Sequence, residues 1–177
     1  MLSRDGVHMR HIRQHDLEQF WHLINDLQAR GEYLPAGLHS HRKFIAAYEK
    51  DGFSSEEFER LLLLNEAGEI IGTLWHFKST PYFSAREIGY VLFQTAMRRQ
   101  GVMSTAVGML VDYLFQTQQI NRLEIRMDVD NVASERVAQK CGFSKEGVSR
   151  GANFVRGRYR DMCVYALLRA EWEQGRA

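Results

Sequence analysis

The segment Arg98-Arg99-Gln100-Gly101-Val102-Met103-Ser104 joins a strand-like run to a helix-like run, and such a junction can hold an anion. A helix that opens directly from a loop exposes backbone N–H groups without intrahelical partners, and its dipole adds partial positive charge there. That combination suits phosphate; Gly101 lets the backbone approach it, and Arg98 and Arg99 add charge. The segment is not a Walker loop, because the Gly-Lys-Ser/Thr ending is missing, and it lacks the three glycines of a dinucleotide fingerprint. Other reactive residue types say less. His39-x-His41 is the tightest pair among seven histidines and has no Cys or acidic neighbour, so an exposed loop is expected there and no metal. Cys141 and Cys163 lack metal-like spacing and fit a reducing compartment. Arg150, Arg156, Arg158 and Arg160 read as a solvated basic edge, with contact to an acidic substrate or nucleic acid as the alternative.

The elements around the junction follow from periodicity. Val7–Arg13 reads as a strand, and Asp16 as the cap of a helix carrying Leu17, Phe20, Trp21, Ile24 and Leu27, stopped by Gly31. A loop through Pro35 leads to a helix over His41–Lys50. Arg60–Asn65 and Glu69–Phe77 form a hairpin, and Arg86–Phe93 is the next strand after a loop at Ser79–Ala85. A helix runs from about Met103 to Gln118, a strand from Arg122 to Val129, and a short helix from Val132 to Cys141. Glu146–Phe154 and Tyr159–Leu168 close the chain as a hairpin. The expected fold class is α/β (α+β), a mixed sheet with helices packed on its faces.

At 177 residues the chain is sized for one domain, expected over 1–177. Hydrophobic residues at 45% and charged residues at 25% fit a folded globular protein. The net charge of +1 gives no global field to gather nucleic acid or an anionic membrane. Neither a signal-peptide core nor an apolar run of membrane length is seen, so a cytoplasmic, membrane-free protein is expected.

The junction also carries a resemblance. Arg98-x-x-Gly101 resembles the pyrophosphate signature of the GNAT superfamily of acyl-CoA N-acyltransferases, with Met103 departing at the last position. Gly101-Val-Met-Ser104 is similar to the RimJ/RimL type, whose members acetylate ribosomal-protein N-termini. Glu87-Ile-Gly-Tyr90, Asp130-Asn131-x-Ala133-Ser134, and Cys141-Gly-Phe143 followed by Glu146-Gly147 match the family in the same order. The resemblance covers about Leu61–Leu168. It implies a mostly antiparallel sheet with two parallel strands splayed into a cleft. Acetyl-CoA would be the co-substrate. The main chain from Tyr90 through Val91, Leu92 and Phe93 would pair with the pantetheine arm. Arg98, Arg99, Gln100, Gly101, Val102, Met103 and Ser104 would surround the pyrophosphate, and Asn131 would bond a pantetheine amide. Tyr33 would line the acceptor pocket, and Asn153 falls where RimL-type chains carry an acidic residue, beside the acceptor. Dimers are common in the family, so a homodimer is an open expectation.

Amine attack on a thioester needs an unprotonated amine, charge stabilisation at the carbonyl and relief of the departing thiolate. Many relatives place a Tyr in the helix after the Asn; this chain has Ala138 there, and the resemblance implies Ser134 as the group at the sulfur. Asn153 cannot accept a proton, which leaves Glu87 as the candidate base, its bland alternative being a surface carboxylate paired with Arg86 or Arg126. An α-amine with pKa near 8 is deprotonated at pH 7.5 for under about 1 kcal/mol, against roughly 4 kcal/mol for a lysine. The expected activity is therefore acetyl transfer to a protein or peptide α-amine in a ternary complex. Transfer to a small amine, or acyl-CoA binding without catalysis, are the alternatives.

Overall fold

The computed structural model describes residues 1–80 and 82–176. The chain opens with β1 (Leu2–Arg4) and β2 (Val7–His11), joined at Asp5-Gly6. Both turn residues have positive φ, 50° and 73°, which suits the tight hairpin turn compatible with strand twist. The strand expected over Val7–Arg13 is thus the second arm of a hairpin and ends at His11.

A single 3-10 turn (Gln14–Asp16) leads into α1 (Leu17–Asn25). Asp16 does not cap α1 with its side chain. Its carboxylate accepts from Arg10 at 2.6 and 2.9 Å and from the Arg13 amide at 2.7 Å, tying the turn to β2. Nor does α1 run to Gly31. Asp26 Oδ1 accepts from the amides of Gln28 and Ala29 at 2.9 and 3.0 Å, and this local turn replaces the helix ladder, leaving Leu27 beyond the helix. The chain continues through α2 (His41–Asp51), β3 (Phe58–Leu64), β4 (Ile70–Phe77), β5 (Ala85–Leu92), α3 (Val102–Thr117) and β6 (Arg122–Asp128). It closes with α4 (Val132–Lys140), β7 (Ser144–Val155), β8 (Arg158–Leu168) and α5 (Arg169–Gln174). Part of the loop expected at Ser79–Ala85, at residue 81, lies outside the described residues. Helix α5 was not expected; Glu171 accepts from the Leu168 amide at 2.8 Å, and Trp172 packs on Phe115 with ring centres 5.2 Å apart.

Eight strands form one sheet in the order β1-β2-β3-β4-β5-β6-β8-β7, antiparallel except for β5–β6. The Leu61–Leu64 run is buried on both faces of β3, which makes this strand the spine of two cores. On one face Leu61, Leu63, Ile88, Leu123 and Ile125 pack with Ala106, Val107, Leu110 and Leu114 of α3. On the other, Leu62, Leu64 and Phe93 pack with Phe20 and Ile24 of α1 and Phe44 of α2.

The feature that creates a site is a break in the sheet. Strands β5 and β6 pair only at Ala85–Arg122, Arg86–Leu123 and Glu87–Glu124. Beyond that point β5 stays bonded to β4 as far as Leu92, and β6 to β8 as far as Asp128. Each strand keeps its outer neighbour while the inner pair parts.

One buried charge lies two strands in from that gap, in register through His76 of β4 with Ile88 of β5. Glu59 of β3 is 7% exposed and accepts from Nε2 of His76 at 2.7 Å and of His11 at 2.6 Å. The bond to His76, offset by burial and aided by His11, holds its carboxyl down at about 2.

Candidate active site

Residues 87–90 lie where the ladder opens, and strand alternation sends them to opposite faces. Ile88 and Tyr90 join the core beneath α3, while Val91 packs with the α1–α2 cluster. Glu87 and Gly89 share Val91's face. Gly89 is required there: a Cβ would meet the Trp75 indole at 2.2 Å. Trp75 in turn lies beneath the Arg60 guanidinium, 5.1 Å from its ring centre.

Glu87 is half-buried, with Arg126 Nε of β6 at 3.4 Å across the gap. Arg86, the other partner considered for it, donates to the Glu56 carbonyl instead. Arg126 also donates to Glu124 at 3.0 Å, and Glu124 accepts from Arg122 at 2.7 Å. Arg126 is therefore shared, and Glu87 holds the longer contact. Burial raises the Glu87 carboxyl above the usual carboxylate range; Arg126 opposes that rise and Glu124 adds to it. A shielded carboxyl raised in this way is suited to take a proton near neutral pH.

The main chain beside the gap corrects one expectation. The Phe93 amide donates to the Ile71 carbonyl of β4 at 2.8 Å, and its ring is buried among Phe20 and Phe44. The Val91 carbonyl also turns toward β4, 2.6 Å from where a Gly72 Cβ would stand. By ladder alternation the main chain of Tyr90 and Leu92 faces the gap, whereas Val91 and Phe93 do not.

At the head of the gap Gly101 caps α3 with φ 83°, preceded by Arg99 at φ 65°. The first helical bond runs from the Thr105 amide to the Gly101 carbonyl at 3.0 Å, so Val102, Met103 and Ser104 present amides without helical acceptors. No side chain caps this end, and the space a Gly101 Cβ would enter is open for 4 Å. The cradle fits a diphosphate. Arg98 donates to the Ala29 carbonyl at 3.4 Å, and Gln100 donates to the Ala96 carbonyl at 2.8 Å. Gly101→Val should weaken CoA binding at least about tenfold, because a β-branched residue is strained at positive φ and would fill the approach to these amides. Calorimetric titration with CoA measures this; an unchanged Kd would remove the loop from the site.

Asn131 caps α4 by accepting from the Ser134 amide at 3.1 Å, so its Oδ1 is occupied and its amide nitrogen remains to donate. Ser134 is 8% exposed, and its Oγ lies 2.7 Å from the Tyr90 hydroxyl. On the other face, Tyr33 donates to the Asp130 carbonyl at 3.0 Å, and Arg156 donates to the carbonyls of Leu27 and Gly31 at 3.1 and 2.9 Å. The α1–α2 loop is thereby strapped over the groove. Asp128 and Asp130 are both 3.4 Å from Arg160, whose strand neighbour is the half-buried Asn153. His39 and His41 are engaged locally: the His39 carbonyl accepts from Trp21 at 2.8 Å, and His41 Nε2 lies 3.2 Å from Glu18.

The structure places Glu87, Ser134, Asn131 and the α3 cap around one gap, and beside them stand three residues that the sequence reading had not singled out for a side-chain role. The Tyr90 hydroxyl was legible only as a period-two partner of Ile88. Arg126 was weighed merely as a surface partner. Arg156, grouped with a solvated edge, is a strap.

Comparison with known proteins adds a second line. A family model described as an acetyltransferase (GNAT) domain matches residues 7–144. The chain is 30% identical to the probable N-acetyltransferase YjcK of Bacillus subtilis, over 98% of this chain and all of that one. It is also 30% identical to the ribosomal-protein-serine acetyltransferase of Escherichia coli, over 63% of this chain and 62% of the other. Among solved structures, spermidine N-acetyltransferase from Vibrio cholerae in complex with CoA and spermine superposes with a TM-score of 0.83 at 18% identity, covering 96% and 99% of the two chains.

Proposed function

From the chain's membership of the GNAT acetyltransferase family, which makes it an N-acetyltransferase, we propose that it moves an acetyl group from acetyl-CoA to a protein or peptide α-amine. The reading rests first on Glu87, a carboxyl lifted by burial at the point where β5 and β6 separate. The diphosphate of the donor would lie on the amides of Val102–Ser104, and its extended amide arm beside Tyr90 and Leu92. The acceptor would enter from the α1–α2 face, under the strap held by Tyr33 and Arg156, with Asn153 beside it. Glu87 would take the amine proton as nitrogen attacks the acyl carbon, and Ser134 would hydrogen-bond the sulfur as the carbon–sulfur bond breaks. Transfer would be direct: the Cys141 thiol, pushed up to about 11 by burial, is poorly suited to carry the acyl group.

The groove's own carboxylates favour a peptide over a polyamine. Asp128 and Asp130 share Arg160, and Glu124 is held between Arg122 and Arg126, so these three carboxylates are already paired with arginines rather than free for a polycation. Both acceptor classes occur among the similar proteins: a ribosomal-protein acetyltransferase among the relatives, a spermidine acetyltransferase among the structures. Release of free thiol from acetyl-CoA, followed with a free-amine peptide, an N-blocked lysine peptide and spermidine, tests the reading. The free α-amine should be turned over at least about tenfold better in kcat/KM than the other two. A preference for spermidine overturns the acceptor, and CoA binding without any acceptor-dependent thiol overturns the catalytic roles.

A further inference from the structure

Tyr90 and Ser134 come from different sides of the gap, one from β5 and the other from the helix that follows β6. Their oxygens nevertheless meet at 2.7 Å. The serine has little freedom at that point. Its amide is held by Asn131, its residue is buried, and Ala138 one turn further along α4 is fully buried and carries no polar group. The phenol has one proton and two acceptors in reach, Ser134 Oγ at 2.7 Å and the Ser134 carbonyl at 3.3 Å. A hydroxyl that accepts from a neighbour keeps its own proton free for another partner.

We propose that Tyr90 is a positioning residue for acetyl transfer, which donates to Ser134 Oγ and so aims the serine proton at the sulfur of the acyl donor. The inference rests on the reading that Ser134 faces that sulfur. In the step, the nitrogen–carbon bond forms and the carbon–sulfur bond breaks, with its electron pair leaving on sulfur. The amine proton passes to the Glu87 carboxylate. Neither hydroxyl loses its proton: the thiolate accepts from Ser134, and Ser134 accepts from Tyr90. Burial raises the Tyr90 phenol further above its ordinary value, so it remains a donor across the working pH range. A chain of two donors polarises its terminal proton more than an isolated serine does.

Tyr90→Phe keeps the ring beneath α3 and removes only the hydroxyl. The variant is to be compared with Ser134→Ala and with the double variant, by steady-state kinetics, CoA titration and thermal melting. Tyr90→Phe should lower kcat about tenfold with the KM for acetyl-CoA and for acceptor within about twofold. The double variant should be no slower than Ser134→Ala alone, since the tyrosine acts only through the serine. Tyr90→Phe with wild-type kcat, or losses that multiply in the double variant, overturn the proposal. A shift in KM with unchanged kcat also overturns it, because that pattern belongs to packing around the donor. If Ser134→Ala itself leaves kcat unchanged, the reading of Ser134 fails first and the Tyr90 role falls with it. If Ser134→Ala is slow while Tyr90→Phe is not, only the Tyr90 role is lost.

Discussion

Glu87→Gln is expected to lower kcat/KM for an α-amine acceptor by about 100- to 10,000-fold at neutral pH, the usual range for loss of a positioned base. The amide keeps the shape of the side chain and can still meet Arg126, so folding and CoA affinity should change little. The pH dependence gives a sharper readout. Burial raises the Glu87 carboxyl above its ordinary value of 4.5, and only the ionised form accepts a proton. Wild-type activity should therefore climb with pH through an apparent pKa above 4.5, and this limb should be missing from the variant. A loss of less than threefold, or a limb that survives the substitution, would mean that the amine gives its proton to another group.

Glu59→Gln should act on stability and leave the chemistry alone. With its carboxyl held at about 2 in the folded protein against 4.5 unfolded, ionised Glu59 contributes about 3 kcal/mol, an upper figure because His11 is half-exposed. The lowered value fixes the direction: this contribution is complete above pH 4.5 and is lost as pH falls from 4.5 toward 2. At neutral pH the variant should melt roughly 6–12 °C lower, the span expected for a chain of this length. Between pH 4.5 and 2 its melting temperature should also decline less steeply than that of the wild type. Parallel declines for the two proteins would assign the acid sensitivity to other carboxylates. Because the Glu59 carboxylate is spent on His11 and His76, which the proposed chemistry does not use, the folded fraction should retain wild-type kcat.

Most of the architecture was legible because its elements are locally consistent. Strand β3 carries its leucine run, α3 carries small and branched residues at helical spacing, and the last hairpin turns on Arg156-Gly157, both at positive φ. The errors arose where a side chain redirected the backbone. Asp16 and Asp26 are both good helix-capping types, but Asp16 is drawn back by Arg10 and Asp26 starts a turn that ends α1 early. Such outcomes depend on a tertiary partner or on competition between local bonds, and periodicity contains neither. The site was legible in a different way. The run Glu87-Ile-Gly-Tyr90 could be recognised as a unit, but its four separate tasks needed coordinates. These tasks are a carboxyl for the gap, a core contact, clearance for Trp75 and a hydroxyl for Ser134. Strand alternation alone could have warned that Val91 and Phe93 would not share the outlook of Leu92.

The interrupted ladder between β5 and β6 also bears on how this molecule holds together. Past Glu87 and Glu124 the sheet is two half-sheets, stitched at one end by three residue pairs and bridged on its faces by Tyr90–Ser134 and Glu87–Arg126. Their inner margins carry unmet donors and acceptors of the kind that invite a stray strand. On the proposed reading, the extended amide arm of the donor would lie in that seam and serve as the absent rung as well as the reactant. Its concentration would then enter the folding equilibrium directly, making the enzyme sturdiest when its donor is plentiful.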